Sequence, residues 1–103
     1  MAAALEQLQM AYARRDAAMV KAVWPSVDAR ALSRAFEGLR VQTLTFEACQ
    51  TRAEARTGEV ACRGETTYVP RVGGPDLRTE SRQWRFRMAK RGTGWVIDSV
   101  TVH

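Results

Sequence analysis

Hydrophobic residues change their spacing along the chain once, near residue 40. Through residues 3–39 they recur every three or four positions, which predicts amphipathic helices. Through residues 40–103 they alternate with polar residues, which predicts strands. A block of helices followed by an antiparallel meander is typical of the α+β class, in which helices cover one face of a sheet. We therefore expect one domain over residues 1–103, with three N-terminal helices (about 3–39) packed on a curled, mostly antiparallel four-stranded sheet (about 40–103).

Capping residues mark the predicted helix boundaries. Asp16 stands directly before an apolar run and is expected to cap the second helix, which Pro25 ends. Either Ser26 or Asp28 is expected to cap the third helix, and Gly38 is expected to end it. The link between the second and third helices is therefore only a few residues long.

Four strands are predicted after the helices, separated by polar or glycine-rich turns. Residues 51–58 are expected to form the first turn, and residues 70–79 a long loop. Gly64 interrupts the second strand, which indicates a bulge or a sharp bend there. Gly94–Val102 is predicted as the last strand, with Trp95 as its core anchor. In the third strand, Trp84, Phe86 and Met88 alternate with Gln83, Arg85 and Arg87.

The chain is basic, with a net charge of +5, and fourteen of its sixteen basic residues are arginines. A basic balance can indicate a nucleic acid or another anionic partner. Most of the arginines, however, are spread along the chain, so nucleic acid is not the expected partner. An anion or nucleic-acid binder ranks third among the functions considered, and it would use Arg82, Arg85, Arg87 and Arg91.

Hydropathy and the N-terminal residues bear on location. No apolar run approaches the ~20 residues that a membrane-spanning helix needs, so no membrane partner is expected. Residues 1–12 lack a basic segment ahead of an apolar one, so a signal peptide is not expected either. Two locations remain open: a cytoplasmic one, or an extracytoplasmic one if the chain is a fragment of a membrane-anchored protein.

The two cysteines flank the first predicted hairpin. If its turn is centred between Ala55 and Arg56, Cys49 and Cys62 lie directly opposite each other, and a cross-strand disulfide can form. A register shifted by one residue places Cys62 opposite Ala48 and keeps the apolar side chains aligned. The alternation favours the shifted register, whereas the presence of two cysteines favours the disulfide. Both alternatives stay open at this point.

Few residues suit catalysis or metal binding. His103 is the only histidine and the last residue, so neither a metal site nor a histidine-based triad is expected, and no cofactor is expected. Asp98 alternates with Trp95 and Ile97 and should point away from them, towards a cross-strand partner. The expected partners of Asp98 are Arg85 and Arg87, and Glu47, Glu59 and Glu65 are likewise expected to be charges on the sheet surface.

Two segments resemble a known superfamily. Residues 11–20 form a helix–Asp–helix junction and residues 94–100 a terminal strand, and both resemble the nuclear transport factor 2-like superfamily, which includes ketosteroid isomerases and polyketide cyclases. The resemblance implies a cone-shaped α+β fold, and because this fold hosts enzymes, ligand binders and oligomerisation modules, it does not fix the function. Residues 23–28, 35–39, 62–64 and 68–70 are similar to bacterial C-terminal domains, some of them attached to serine/threonine kinases.

The resemblance implies one catalytic candidate. Tyr12 occupies the place of a helix-borne tyrosine that donates a hydrogen bond to an oxyanion in the related isomerases. Such an enzyme also needs a carboxylate base, and the strand that would carry it, between the second and third helices, is missing here. We therefore expect no catalytic residue and a shallow or aromatic-filled cavity. An isomerase or cyclase using Tyr12 and an unidentified carboxylate remains the alternative.

The expected function is that of a non-enzymatic accessory domain in a bacterial protein, which binds a small ligand or mediates dimerisation. An apolar ligand would contact aromatic residues, although the same residues in so small a domain also suit a core. A homodimer would use the sheet face that the resemblance implies as an interface. The residues assigned to the ligand are Tyr12, Trp24, Phe36, Trp84 and Trp95, and those assigned to the interface are Arg82, Arg85 and Arg87.

Overall fold

Three helices precede a four-stranded antiparallel sheet in the computed structural model, which describes every residue from Met1 to His103. The strands lie in chain order, so each one pairs with the next along the sequence. The α+β prediction is confirmed. The elements are α1 (Ala2–Ala13), α2 (Ala17–Val23), α3 (Ala29–Glu37), β1 (Leu39–Ala53), β2 (Thr57–Pro70), β3 (Arg78–Arg91) and β4 (Gly94–Val102).

Aspartates cap the two short helices. The Asp16 carboxylate accepts a hydrogen bond from the Met19 backbone N–H at 3.0 Å, and the Asp28 carboxylate accepts one from the Ala31 N–H at 3.0 Å. Each bond satisfies a donor that the first turn of a helix leaves without a partner. Of the two caps predicted for α3, Asp28 is therefore the one that is used.

The link between α2 and α3 contains no strand and contacts the end of the sheet. Its Ser26 hydroxyl donates a hydrogen bond to the Asp98 carbonyl of β4 at 3.0 Å. No other strand lies beyond β4, which is therefore an edge strand. The opposite edge, β1, is contacted by α1, because the Gln9 side-chain oxygen accepts a hydrogen bond from the Phe46 N–H at 2.7 Å. Such contacts cover backbone groups that an edge strand would otherwise leave unpaired.

The first hairpin is longer than the sequence predicted. β1 continues to Ala53 and β2 begins at Thr57, so the turn is much shorter than residues 51–58. Likewise, only residues 71–77 separate β2 from β3, instead of residues 70–79. The polar residues near the turn are ladder residues: Arg52, for example, pairs with Glu59. Their polarity reflects exposure on one face of the sheet and does not mark a loop.

A bulge divides β1 into two segments of different register. Glu47 pairs with Arg63, whereas Gln50 pairs with Ala61, so two residues of β1 stand opposite one residue of β2. Ala48 lies in the bulge with a φ of 53°. Of the two alternatives predicted at Gly64, the bulge is wrong, because Gly64 pairs regularly with residues of both neighbouring strands.

The two faces of the sheet differ in burial, as β3 shows most clearly. Trp84, Phe86 and Met88 are buried on the face that packs against the helices, which we call the inner face. Arg85 and Arg87 are exposed on the opposite, outer face. The alternation predicted for this strand is therefore confirmed. The helices complete the core with buried side chains from Ala4, Leu5, Leu8, Ala11, Val20, Val23 and Phe36.

A second bulge lies in β4. Ile97 pairs with Met88 and Ser99 pairs with Arg87, so Asp98 has no residue opposite it. The expected cross-strand pairing of Asp98 with an arginine is therefore wrong, because Ser99 takes that place. None of the helices is long and apolar enough to cross a membrane.

Candidate functional site

Aromatic rings fill the space between the helices and the inner face. Tyr12 of α1 meets Phe36 of α3 edge to face at 5.2 Å between ring centroids and Trp84 of β3 at 6.2 Å. Trp84 in turn meets Phe46 of β1 at 5.2 Å and stacks on Phe86 at 5.9 Å. Edge-to-face and offset-stacked rings gain attraction beyond the area that they bury. The five rings therefore pack on one another, as in a core.

Gly64 makes room for the central ring of this cluster. A Cβ atom built on Gly64 would overlap the Trp84 indole. Close approach between a side chain and a neighbouring backbone is one of the reasons for glycine in a strand. Trp84 is consequently only 8% exposed. The residue that the sequence analysis assigned to a bend thus has a packing role.

Tyr12 carries the only hydroxyl group among these rings. Burial raises the pKa of the Tyr12 phenol above its ordinary value, so the hydroxyl stays protonated at neutral pH. This hydroxyl takes part in none of the side-chain hydrogen bonds, and burial alone accounts for its pKa shift. Tyr12 can donate a hydrogen bond, but no carboxylate is paired with it.

Trp24 and Trp95 lie outside the ring cluster. Both are partly buried against the core, but neither stacks on Tyr12, Phe36 or Trp84. The Lys90 ammonium instead lies over the Trp95 ring, with the Nζ atom 5.9 Å from the ring centroid. Of the five residues predicted to bind a ligand, the structure brings three together. Trp95 is also less buried than predicted, because Ile97, at 0% exposure, is the anchor of β4.

Four of the eleven acidic residues have structural roles away from Tyr12. Asp16 and Asp28 cap helices. Glu47 forms a salt bridge with Arg63 at 3.2 Å on the outer face, which agrees with its prediction as a surface charge. Glu80 accepts a hydrogen bond from the Tyr68 hydroxyl at 3.2 Å. No three His, Cys, Asp or Glu side chains are grouped in a way that could hold a metal ion.

The three arginines predicted for an interface do not share a face. Arg85 and Arg87 lie on the outer face. Arg82 is two residues from Trp84, and because side chains alternate along a strand, it lies on the inner face instead. There its guanidinium is 3.9 Å from the Glu80 carboxylate. The grouping of Arg82 with the other two is therefore wrong.

A depression on the outer face brings Arg85 and Arg87, which the sequence analysis grouped, together with residues that it did not connect with them. We call it the outer groove. Its volume is about 420 Å³. A second depression of about 340 Å³ shares Arg52, Glu59 and Arg87 with it and continues towards the β1–β2 turn. Only the cross-strand register, which the β1 bulge sets, could have placed Arg52 here. The polar residues that line the outer groove include Arg52, Glu59, Arg85, Arg87, Ser99 and Thr101.

A disulfide joins the hairpin at the β1 bulge. Cys49 and Cys62 are bonded, with their Cα atoms 4.1 Å apart. The sequence left two registers open, and both occur. On one side of the bulge Gln50 pairs with Ala61, and this register places Cys49 opposite Cys62. On the other side Glu47 pairs with Arg63, and this register places Ala48 opposite Cys62. The bulge changes one register into the other, so both cysteine residues and the apolar alternation are accommodated.

Comparison with known proteins shows similarity of fold at low sequence identity. No protein-family model and no curated protein matches the sequence. A solved structure of a proposed dehydratase of the NTF2-like family from Streptomyces avermitilis has a TM-score of 0.82 and 13% identity, over 98% of this chain and 91% of that one.

Two further solved structures are similar over 98% of this chain. A nuclear transport factor 2 (NTF2-like) superfamily protein from Salmonella enterica has a TM-score of 0.84 and 11% identity, over 85% of its own chain. A proposed calcium/calmodulin dependent protein kinase II association domain from Xanthomonas campestris has a TM-score of 0.76 and 14% identity, over 82% of its chain. Because identities this low are informative about fold alone, the conclusion concerns architecture. The protein has the nuclear transport factor 2-like fold.

Proposed function

We propose that this protein is a non-enzymatic accessory domain that forms a homodimer through the outer face of its sheet. The observation that supports this most is the one-sided placement of the helices. All three pack on the inner face, which leaves the four strands uncovered on the other side. A broad, uncovered sheet face is a surface that pairing with a second copy would protect.

The size of the outer face suits a dimer. At about 3.3 Å per residue and about 4.8 Å between strands, 14 residues of β2 and its neighbours form a face roughly 45 Å long and roughly 15 Å wide. This is roughly 700 Å², close to the ~800 Å² per partner of a typical stable interface. The area alone does not set the affinity, but the outer face is large enough for a stable dimer.

Charges of both signs on the outer face support self-association. In a two-fold interface the same patch meets itself, so it must offer both members of each attractive pair. Glu47 and Arg63 already pair across two strands, and Glu59 lies between Arg52 and Arg87 in one cross-strand row. An acidic residue of one copy can therefore face an arginine of the other.

The enzymatic alternative has less support. A cyclase or isomerase needs a base and an oxyanion donor that converge on one substrate. Tyr12 supplies a donor, but its ring packs against Phe36 and Trp84, and its hydroxyl has no carboxylate partner. The similar structures include a proposed dehydratase and a proposed association domain, so they do not favour one class. The filled inner space favours association.

A pair of matched variants tests the dimer. Ala61 lies on the outer face between Gln50 and Arg85, and Ala22 is exposed on α2. Ala61→Arg adds a like charge where two copies would meet, whereas Ala22→Arg adds the same charge on the helical side. We expect sedimentation equilibrium to give a dimer for the wild type, with a dissociation constant on the order of 10 µM. Ala61→Arg should weaken it at least about tenfold, and Ala22→Arg should not.

Two results would contradict this proposal. A wild type that remains monomeric at several hundred micromolar would remove the dimer altogether. Equal effects of Ala61→Arg and Ala22→Arg would place the interface elsewhere.

A further inference from the structure

The outer groove contains three arginines that form no salt bridge within the protein. Arg52 and Arg87 belong to one cross-strand row with Glu59 between them, and Arg85 is two residues away from Arg87 on the same face. Neither of the salt bridges involves any of these three arginines, and none of the side-chain hydrogen bonds does. Three positive charges thus share a small space with one carboxylate, which leaves the groove with a net positive charge.

We infer that the outer groove binds a small anion that carries two or more phosphate or carboxylate groups. A guanidinium group presents a planar fork of N–H donors that matches both kinds of oxyanion in a bidentate way. The Ser99 and Thr101 hydroxyls line the same groove and add neutral donors. The chemistry of the lining therefore selects negative charge over an apolar ligand.

The spacing of the arginines indicates an anion with separated charges. Arg52 and Arg87 are two strands apart, which is about 10 Å between their backbones. Arg85 and Arg87 are two residues apart along β3, which is about 7 Å. A single phosphate reaches one fork, or two that bend towards it, whereas a diphosphate or a tricarboxylate can contact all three.

The volume of the outer groove favours a small molecule over a macromolecule. Its volume of about 420 Å³ lies within the ~300–1,000 Å³ range of small-ligand sites. Two neighbouring arginines do not extend the groove, since Arg63 forms a salt bridge with Glu47 and Arg82 lies on the inner face. All the residues of the site come from one chain, and they lie on the face proposed for the dimer, so an anion and a second copy of the chain would compete for the same surface.

Calorimetric titration of the purified protein tests the site with two probes. Pyrophosphate and citrate are titrated separately at constant ionic strength, so that phosphate and carboxylate ligands are distinguished. We expect at least one probe to bind with a dissociation constant on the order of 100 µM or below. Arg87→Gln should weaken that binding at least about tenfold.

The matched control is Arg63→Gln, which removes an equal charge from the same face but outside the groove. We expect it to change the dissociation constant by less than about twofold, because only the overall charge differs. Arg85→Gln provides a second groove variant if Arg87→Gln fails to fold, and thermal unfolding checks both. The site is supported if either groove variant loses binding while Arg63→Gln still binds the probe.

Three outcomes would overturn the inference. One is that neither probe binds at millimolar concentration. Another is that Arg63→Gln loses as much affinity as Arg87→Gln, which would mean nonspecific attraction to a basic protein. The third is that a short single-stranded oligonucleotide competes for the groove arginines and binds more tightly than both probes, which would assign the surface to nucleic acid.

Discussion

The inner and outer faces of the sheet are built from the same strands, yet they place opposite demands on the sequence. On the inner face, side chains fit one another closely: Trp84 needs the absence of a side chain at Gly64 and the presence of rings at Tyr12 and Phe86. On the outer face, Arg85 and Arg87 are exposed and unpaired. The comparison indicates that folding depends on one face, which leaves the other free for association and binding.

The largest expected difference between the faces appears at two adjacent residues of β3. Trp84→Ala should lower the free energy of unfolding by about 3–5 kcal/mol, because it removes a buried ring and leaves a cavity. Arg85→Ala should change it by less than about 0.5 kcal/mol. Urea denaturation at a single protein concentration measures both, since dimerisation would make stability depend on concentration. Similar losses in the two variants would mean that the outer face also holds the fold together.

The disulfide gives the next largest effect. Cys49→Ser opens a bridge between residues 13 positions apart, and cross-links over loops of this length contribute about 3 kcal/mol. We expect the variant and the reduced wild type to unfold at the same denaturant concentration, both below the oxidised protein. A variant as stable as the oxidised protein would mean that the strand ladder alone fixes the hairpin.

The smallest expected effect concerns pH. The folded state raises the pKa of Tyr12, so the unfolded chain releases this proton at a lower pH than the folded protein does. The contribution of Tyr12 to stability is therefore fully present below the ordinary tyrosine pKa of about 10 and is lost as the pH rises through the folded value. Tyr12→Phe should remove that part of the loss. Denaturation at a series of pH values from 8 upwards gives the free energy of unfolding of both proteins as a function of pH. If this free energy falls equally with pH in the wild type and in Tyr12→Phe, the burial of the Tyr12 phenol is contradicted.

Much of the fold was predictable because it follows from local periodicity. The change of spacing near residue 40 separates helices from strands, and Asp16 caps the helix that follows it, as predicted. A capping bond joins residues three positions apart, so a short stretch of sequence contains all the information needed. The same holds for the alternation of Trp84 with Arg85 in β3.

The groove residues were harder to predict because they depend on register. Arg52 and Arg87 lie in one cross-strand row because both pair with Glu59 of β2. The β1 bulge determines which residue of β1 pairs with Glu59. A bulge has no strong signature in the sequence, because it is selected by how β1 pairs with β2 and not by the residues of β1 alone. The role of Gly64 was missed for a related reason: the ring that it accommodates belongs to another strand.

The two bulges have a consequence for how the length of this chain can vary. Removing one residue at the β1 bulge, such as Ala48, would leave Glu47 and Gln50 on the outer face and produce a regular ladder, and removing Asp98 from β4 would do the same. A single deletion elsewhere in these strands would exchange inner and outer side chains along a whole segment. Related chains are therefore expected to gain or lose single residues at these two positions, and an alignment that places gaps there keeps every other strand residue on its face.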